Sequence, residues 1–204
     1  NSFVIENFNI IIKKGERIGI RGKTGSGKTT FINILMGLLT PNSGELLVDG
    51  SDIYSKNNIS YIAAWRTNIS HVPQNIFLLD SSILDNIAFG LKEKYIDRER
   101  LIEATKSAEI YEFISSLPAG FNTLVGERGV KLSGGQKQRI GIARALYNKK
   151  KLIILDEATS ALDKKTESKF MNSIYNLGRD ITLIIIAHRE STLEKCDRFI
   201  DFEN

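Results

Sequence analysis

The sequence GKTGSGKT, residues 22 to 29, is the most informative segment of the chain about its fold. It fits the pattern G-x-x-x-x-G-K-[ST], and the apolar strand pattern ERIGIRG at 16 to 22 runs directly into it. Its three glycines allow a backbone curl that points successive N–H groups inward. A helix that starts near Lys28 adds the positive end of its dipole. The sequence therefore predicts a phosphate-binding loop between a strand and a helix.

The composition is that of an ordinary globular chain. The 204 residues suffice for one sizeable core, and 42% of them are hydrophobic and 25% charged. The net charge of +4 is small and scattered, which favours a solvated basic surface over a nucleic-acid partner. The single cysteine, Cys196, excludes an internal disulfide framework and suits a reducing compartment. No apolar run reaches the roughly 18 to 20 residues that a membrane span needs.

Strand patterns alternate with helical patterns along the chain, which predicts an α/β fold with a mainly parallel sheet and a P-loop NTPase core. The alternating stretch at 3 to 12 predicts a strand in an antiparallel part near the N-terminus. A helix is expected from Thr29 to Leu39. Further strands are expected at 45 to 50, 151 to 156, 181 to 187 and 196 to 204, and further helices from about Ser133 and from about Asp163 to Leu177.

The middle of the chain has a different pattern. From about Ser82 to Leu117 the sequence is helical and charged, and Pro118 ends it. We expect a single domain over 1 to 204, in which a helical subdomain at about 75 to 129 is inserted between two core segments, 1 to 74 and 130 to 204. Strand patterns begin and end at the two ends of the given sequence, so we expect a domain of a longer protein.

Two adjacent carboxylates follow the strand pattern KLIILD. Asp156 ends that strand and is the natural partner of Mg²⁺, while the Thr29 hydroxyl is expected to bind the same ion. Glu157 comes next and is suited to orient and polarise an attacking water; a surface carboxylate is the alternative. Lys28 is expected to reach the β- and γ-phosphates.

One of the two histidines and one glutamine complete the candidate site. His188 follows the strand pattern at 181 to 187, so we expect it at the same sheet edge as Asp156, where an imidazole can contact the γ-phosphate and the water. His71 lies inside a strand pattern and is interpreted as structural. Gln74 closes that pattern, and its neutral amide is suited to bind Mg²⁺ or the water.

A second helix start, LSGGQ at 132 to 136, is also suited to an anion. Ser133 is an N-cap residue type, and the two glycines after it leave backbone N–H groups bare. Taken alone, this stretch favours an ordinary capped helix.

With these motifs in this order, the chain resembles the nucleotide-binding domain of an ABC transporter over essentially its whole length. GKTGSGKT looks like Walker A, LIILDE like Walker B with Glu157 as catalytic base, and LSGGQ like the family signature. Gln74 matches the Q-loop, SALD at 160 to 163 the D-loop, and His188 the switch histidine. The resemblance implies an ATP-hydrolysing enzyme that uses ATP and Mg²⁺.

The resemblance also assigns the site residues. It implies three catalytic residues, Lys28, Glu157 and His188, and three metal-binding residues, Thr29, Gln74 and Asp156. Nucleotide contacts are expected from Gly22, Lys23, Thr24, Gly25, Ser26, Gly27, Lys28, Thr29, Thr30, Gln74, Ser133, Gly134, Gly135, Gln136 and Asp163.

The implied partners are a second copy of the chain and a membrane domain. TLVGERG at 123 to 129 resembles the exporter segment that contacts the coupling helices of the membrane part, so the resemblance implies an exporter or flippase. Its transmembrane domain is expected upstream in the sequence. The present domain is expected at the cytoplasmic face of the cell membrane. A head-to-tail homodimer is implied, in which Walker A of one copy faces the signature of the other across ATP. Two stretches, AWRTNISHVPQNIFLLDSSILDNIAFG and AHREST together with the later CDR, resemble bacterial exporters of lipid-linked oligosaccharide or polysaccharide, and lipid exporters and peptide exporters are the near alternatives.

Two departures from the family pattern stand out. The adenine-stacking aromatic is expected before Asn1, and Glu190 in HREST stands where exporters usually have leucine.

Three other functions remain as alternatives. A DNA-repair or chromosome-organising ATPase inserts a long coiled coil, for which the stretch between Gly22 and Leu132 is too short and lacks heptads. A soluble, non-transport ABC ATPase would have two such domains and no VGERG. A binding module that uses ATP as a structural clamp is separated from an ATPase by measuring phosphate release.

Overall fold

The computed structural model describes residues 5–55 and 59–202. The strands are β1 (Arg17–Gly22), β2 (Leu47–Val48), β3 (Ser51–Asp52), β4 (Ile69–Val72), β5 (Leu152–Asp156), β6 (Thr182–Ile186) and β7 (Arg198–Phe202). The helices are α1 (Lys28–Leu35), α2 (Ile59–Arg66), α3 (Ile83–Ile87), α4 (Arg98–Ser107), α5 (Tyr111–Ser116), α6 (Gly134–Tyr147), α7 (Lys164–Tyr175) and α8 (Glu190–Leu193), with three short 3-10 turns between them.

The main sheet has five strands in the order β4-β5-β6-β1-β7, and every neighbouring pair is parallel. Its central strands are continuous apolar runs because both faces are covered. One face packs Ile154, Ile184 and Ile20 against Phe31 and Ile32 of α1. The other face packs β4, β5 and β6 against α6 and α7. The expected α/β fold with a mainly parallel sheet is confirmed.

The small antiparallel part is the β2–β3 pair. Asp49 and Gly50, which join the two strands, have φ values of 50° and 80°. Two successive positive φ values are what the shortest hairpin turns require, and Asp-Gly is a sequence that supplies them. The strand expected at 45 to 50 is therefore formed only at Leu47–Val48.

The helices of the middle block share a core with the α/β part. Buried Ile83, Leu101 and Ile114 belong to the same cluster as Ile140 of α6 and Ile153 of β5. A capping box between Ser82 and Asp85 begins α3, and Asp97 accepts a hydrogen bond from the Arg100 N–H at the start of α4. The division into two core segments and an inserted subdomain stays a prediction.

The strand expected at 3 to 12 is wrong over its described part, because residues 5 to 12 pair with no strand. The alternation has another cause. Ile10 and Ile12 pack against the α1 side of the sheet, and the Phe8 ring lies against Phe31 and Phe202. Burial of alternate side chains produced the pattern without a strand partner.

Two helix expectations also need correction. The helix expected to reach Leu39 ends at Leu35, because Gly37 turns the chain with a φ of 73°. Helix α2 was not expected at all. It is held to the end of α1 by a hydrogen bond of 2.6 Å from the Trp65 indole to the Leu35 carbonyl oxygen.

None of the helices in the described residues combines the length and the apolar character that a membrane span requires.

The close approach of α6 to Ile76 gives a test of the packing. A Cβ at Gly141 would lie 2.5 Å from Cδ1 of Ile76, so Gly141→Ala should lower the free energy of unfolding by about 1–3 kcal/mol. In an Ile76→Ala background the same change should raise it by up to about 1 kcal/mol, because alanine favours the helix. Denaturant unfolding of the unchanged protein, the two single variants and the double variant measures both changes in the free energy of unfolding. An equal cost in the two backgrounds would contradict this contact.

Candidate active site

The phosphate loop joins β1 to α1 by a curl that only glycine accommodates at its start. Gly22 has a φ of 143°, and a Cβ there would lie 2.5 Å from the Phe202 carbonyl oxygen and 2.7 Å from Oγ of Ser26. Gly27, with a φ of 102°, caps α1 and offers no side chain to the first turn. The first N–H groups of α1 are therefore open to an anion.

Lys28 and Ser26 supply polar groups to the same loop. The Lys28 ammonium donates hydrogen bonds of 2.7 Å to the carbonyl oxygens of Gly22 and Lys23, and the residue is only 9% exposed. The Ser26 hydroxyl is buried and has no hydrogen-bond partner among the described residues. A buried unpaired hydroxyl, bare N–H groups and an ammonium together fit a phosphate chain.

The carboxyl ends of three further strands bring the other site residues to this edge. Asp156 ends β5, Glu157 follows it, His188 lies two residues after β6, and Gln74 lies two residues after β4. Parallel strands end at one edge of the sheet, which is where open α/β sheets bind ligands.

Glu157 is the centre of this group. Its carboxylate accepts a hydrogen bond of 2.7 Å from the Gln74 amide and lies 2.8 Å from Nε2 of His188. Its backbone has a φ of 50°, which is uncommon for a residue other than glycine. Its N–H donates to the Ile186 carbonyl oxygen at 2.9 Å, so the link between β5 and β6 continues past the strand end. The carboxylate is thus fixed between an amide and an imidazole.

Asp156 is the candidate metal ligand on the sheet. Burial raises the pKa of its carboxyl group, the neighbouring Glu157 raises it further, and Lys28 opposes the rise. A divalent cation would favour the ionised form. The Asp156 carboxylate, the exposed Thr29 hydroxyl at the start of α1 and the Gln74 amide oxygen are oxygen donors of the type that Mg²⁺ prefers. The residue types therefore fit the ion.

The signature stretch forms a capped helix start. The Gln136 N–H donates to Oγ of Ser133 at 3.2 Å, and the Ser133 N–H donates to Oε1 of Gln136 at 2.8 Å. The turn lies against the D-loop, since a Cβ at Gly135 would be 3.2 Å from the Ala161 carbonyl oxygen. Asp163 caps α7 by accepting two backbone hydrogen bonds of 3.0 Å. The signature turn and the D-loop of one and the same copy are therefore in direct contact.

A buried carboxylate that the sequence analysis did not single out lies behind these loops. Glu167 on α7 is 5% exposed and accepts hydrogen bonds of 2.7 Å from the hydroxyls of Thr159 and Thr192, and it also pairs with Arg189. Burial acts to raise the pKa of Glu167, but the bonds from these three side chains outweigh it and hold the pKa below its usual value. Thr159 follows Glu157 by two residues and Arg189 follows His188 directly, so one carboxylate ties both loops together.

A sequence signal for such residues exists. Glu167 falls three and four residues before Phe170 and Met171, on the buried face of α7. Gln138 likewise falls four residues before Ile142, on the buried face of α6. A polar residue on an otherwise apolar helix face needs buried partners, so this position is informative.

The remaining histidine and Glu190 lie outside the group around Glu157. His71 sits within β4, its Nε2 is buried with no partner among the described residues, and burial lowers its pKa. Glu190 is exposed at the start of α8 and lines a small cleft together with Gly22 and His188. The sequence offered no role for Glu190, and the structure gives it this position.

The loop, the two carboxylates and the helix start define the class as a P-loop α/β domain. The profile of the family described as ABC transporter matches residues 5–160, and the chain belongs to that family. Membership of this family implies nucleotide binding. The resemblance that the motifs indicated is thereby confirmed.

Three curated relatives and one solved structure define the branch. The chain is 44% identical to the alpha-hemolysin translocation ATP-binding protein HlyB of Proteus vulgaris. It is 46% identical to the leukotoxin translocation ATP-binding protein LktB of Mannheimia glucosida. Both alignments cover 98% of this chain and 27% of the relative. It is 42% identical over 97% of its length to the ATP-dependent lipid A-core flippase of Francisella tularensis subsp. holarctica, covering 32% of it.

The solved structure is a bacterial Atm1-family ABC exporter with ATP bound. It superposes with a TM-score of 0.84 and 38% identity, over 92% of this chain and 32% of that one. The chain therefore spans about a quarter to a third of the length of the relatives it matches. By name, two of the four are translocation ATP-binding proteins, one is a flippase and one is an ABC exporter.

The Glu167 cluster predicts an acid-sensitive stability. Because its folded-state pKa is lowered, the carboxylate contributes stability above its unfolded pKa, and this is lost as pH falls through the folded value. Glu167→Gln should lower the free energy of unfolding by about 2–4 kcal/mol at pH 7, with a smaller difference in acid. Denaturant unfolding at several pH values measures this. The exposed Glu103→Gln is the control, and a gap that stays constant with pH would contradict the assignment.

Proposed function

We propose that this chain is the ATP-hydrolysing motor domain of an ABC exporter. The observation that carries the proposal is the Glu157 carboxylate, held between Gln74 and His188 at the sheet edge that also bears the phosphate loop. The names of the relatives support it, since they describe ATP-binding translocation proteins and an ATP-dependent flippase. The soluble non-transport alternative has no such support among these names.

The residues divide the reaction between binding and water activation. Lys28 and the bare N–H groups of the loop hold the β- and γ-phosphates, and residues Gly22 to Thr30 surround the phosphate chain. Thr29, Asp156 and Gln74 would hold Mg²⁺, which would neutralise the negative charge that develops on the phosphates. Glu157 orients a water and accepts its proton as the water oxygen bonds to the γ-phosphorus. The bond from that phosphorus to the bridging oxygen of ADP breaks, and ADP and phosphate result.

His188 fixes the Glu157 carboxylate during this step. Its Nε2 lies 2.8 Å from Oε1 of Glu157, and its imidazole is exposed at the site. An imidazole in that position can hold the carboxylate and contact the γ-phosphate at once, so it registers whether that phosphate is present.

Gln74 connects this chemistry to the helical block. The Gln74 amide donates a hydrogen bond to the Glu157 carboxylate. Two residues further along, Ile76 packs against Gly141 of α6. The Phe77 carbonyl oxygen then accepts a hydrogen bond of 3.2 Å from Arg144 of the same helix. The segment after Gln74 therefore responds to movement of Glu157 and of α6 together. The block and the residue directly after it expose apolar side chains: Phe77 is 61%, Leu124 58% and Val130 73% exposed. An exposed apolar group of this kind fits contact with a transmembrane domain at the cytoplasmic face of the membrane.

The active unit is a head-to-tail homodimer. The Ser133 cap, the bare N–H groups after it and the dipole of α6 form a second anion site, which acts on ATP bound by the other copy. Lys28, Asp156, Glu157 and His188 are all present, so both sites of a homodimer are competent. Asp163, beside the signature turn, belongs to the same interface.

The ATPase domain does not select the cargo. The names of two relatives refer to translocation of alpha-hemolysin and to flipping of lipid A-core, and the two proteins are 44% and 42% identical to this chain. The similarity to saccharide exporters in the sequence stays a prediction.

Glu157→Gln separates binding from hydrolysis. The amide keeps the hydrogen-bonding shape but cannot accept the proton of the water, so turnover should fall by roughly 100-fold or more while ATP binding persists. ATP-bound dimers should then accumulate, as measured by sizing chromatography with Mg-ATP. Lys28→Ala is the matched control and should lose nucleotide binding itself. A Glu157→Gln protein that hydrolyses ATP at the normal rate would contradict the role of the carboxylate.

Gly135→Val tests the second anion site. Even a Cβ at this position lies 3.2 Å from the Ala161 carbonyl oxygen, and a larger side chain would cover the bare N–H groups. Nucleotide binding by the monomer should be unchanged within about twofold, and turnover should be lost because dimers cannot close on ATP. Equilibrium binding and phosphate release measure the two effects. Loss of binding as severe as in Lys28→Ala would contradict the assignment of this turn to the other copy's ATP.

A further inference from the structure

Gln138 is a buried polar side chain on α6, four residues after the helix begins at Gly134, and it is 2% exposed. Its Oε1 accepts a hydrogen bond of 3.0 Å from the Ala161 N–H. Its Nε2 donates a hydrogen bond of 3.3 Å to the Glu157 carbonyl oxygen. The orientation of the amide is determined, because the Ala161 N–H can only donate and must face the oxygen.

These two contacts hold both ends of one turn. Between Glu157 and Ala161 the chain reverses, with the Ser160 N–H donating to the Glu157 carbonyl oxygen at 3.1 Å. Gln138 therefore bonds the backbone of the catalytic carboxylate and the backbone of the D-loop at the same time. The signature turn touches the same place, since a Cβ at Gly135 would lie 3.2 Å from the Ala161 carbonyl oxygen.

Glu157 needs such support. Its φ of 50° is a sparsely populated conformation, which persists only where several contacts determine it. An apolar side chain of the same size at position 138 would fill the space but would remove the acceptor of the Ala161 N–H and the donor to the Glu157 carbonyl oxygen. The choice of a carboxamide on the buried face of α6 is thus explained by its two partners.

We propose that Gln138 is a positioning residue that couples the signature turn to Glu157. The inference rests on the proposed function, because it requires ATP in both sites of a head-to-tail dimer. In that dimer the signature turn and Glu157 of one copy serve different ATP molecules. Contact of the signature turn with one ATP then alters the position of the carboxylate at the other, and Gln138 transmits the change.

The experiment compares Gln138→Met with the unchanged full-length protein. Methionine keeps the length of the side chain and removes both hydrogen bonds. Steady-state hydrolysis over a range of ATP concentrations gives kcat, KM and the Hill coefficient. The unchanged protein should have a Hill coefficient above one. In Gln138→Met we expect kcat to fall roughly tenfold, KM to change less than about twofold, and the Hill coefficient to fall to about one.

Two further variants separate coupling from general loss of packing. Gln138→Glu keeps an acceptor for the Ala161 N–H but has no donor for the Glu157 carbonyl oxygen, so its Hill coefficient should also fall. Tyr147→Phe removes another buried hydrogen bond of α6, the 3.0 Å bond from the Asp97 N–H, and should retain the normal kcat and Hill coefficient.

The coupling is overturned if Gln138→Met or Gln138→Glu keeps the normal Hill coefficient, whatever happens to kcat. It is also overturned if Tyr147→Phe lowers the Hill coefficient equally, since any loosening of α6 would then suffice. Failure of the unchanged protein to hydrolyse ATP would be a different result, because it would contradict the proposed function itself.

Discussion

The five strands of the main sheet run in one direction, and the candidate site depends on that arrangement. A parallel sheet places the carboxyl ends of β1, β4, β5 and β6 at one edge, so residues that are far apart in the chain meet there. Gln74 and Glu157 are separated by 83 positions and yet share a hydrogen bond of 2.7 Å. The apolar burial of both sheet faces keeps this edge in place, because β5 and β6 are covered on each side.

The edge carries strain as well as charge. Glu157 occupies a backbone conformation that costs about 1–3 kcal/mol for a residue other than glycine. Its backbone is held by Ile186, Ser160 and Gln138, and hydrogen bonds of this kind contribute about 0.5–1.5 kcal/mol each. The cost of the conformation and the contribution of these hydrogen bonds are similar in size. The Glu157 conformation is therefore stable only while the hydrogen bonds from the neighbouring loops are kept. Glu167, which ties the loops after Glu157 and His188 together, stabilises the same arrangement from behind.

Sequence reasoning succeeded where one interaction determines one local structure. The glycine loop, the apolar runs of β5 and β6, and the Ser133 cap each follow from short-range sterics or hydrogen bonding, and the structure has all of them. It failed where a pattern has two physical causes. Alternation at 5 to 12 comes from burial against the sheet rather than from strand pairing, and helix α2 depends on a tertiary contact of Trp65.

Residue types and motif spacing suffice to predict the parts of the candidate site: a phosphate loop, two carboxylates after a buried strand, a histidine after another strand, and a second helix start suited to an anion. The residues that make up each single feature lie within a few positions of one another, so residue type and spacing specify that feature. The hydrogen bonds that connect these parts depend instead on how the helices pack against the sheet. Gln138 forms hydrogen bonds to residues 19 and 23 positions away in the chain. Glu167 forms hydrogen bonds to residues 8 and 25 positions away. No local pattern names such partners, because the packing of α6 and α7 against the sheet selects them.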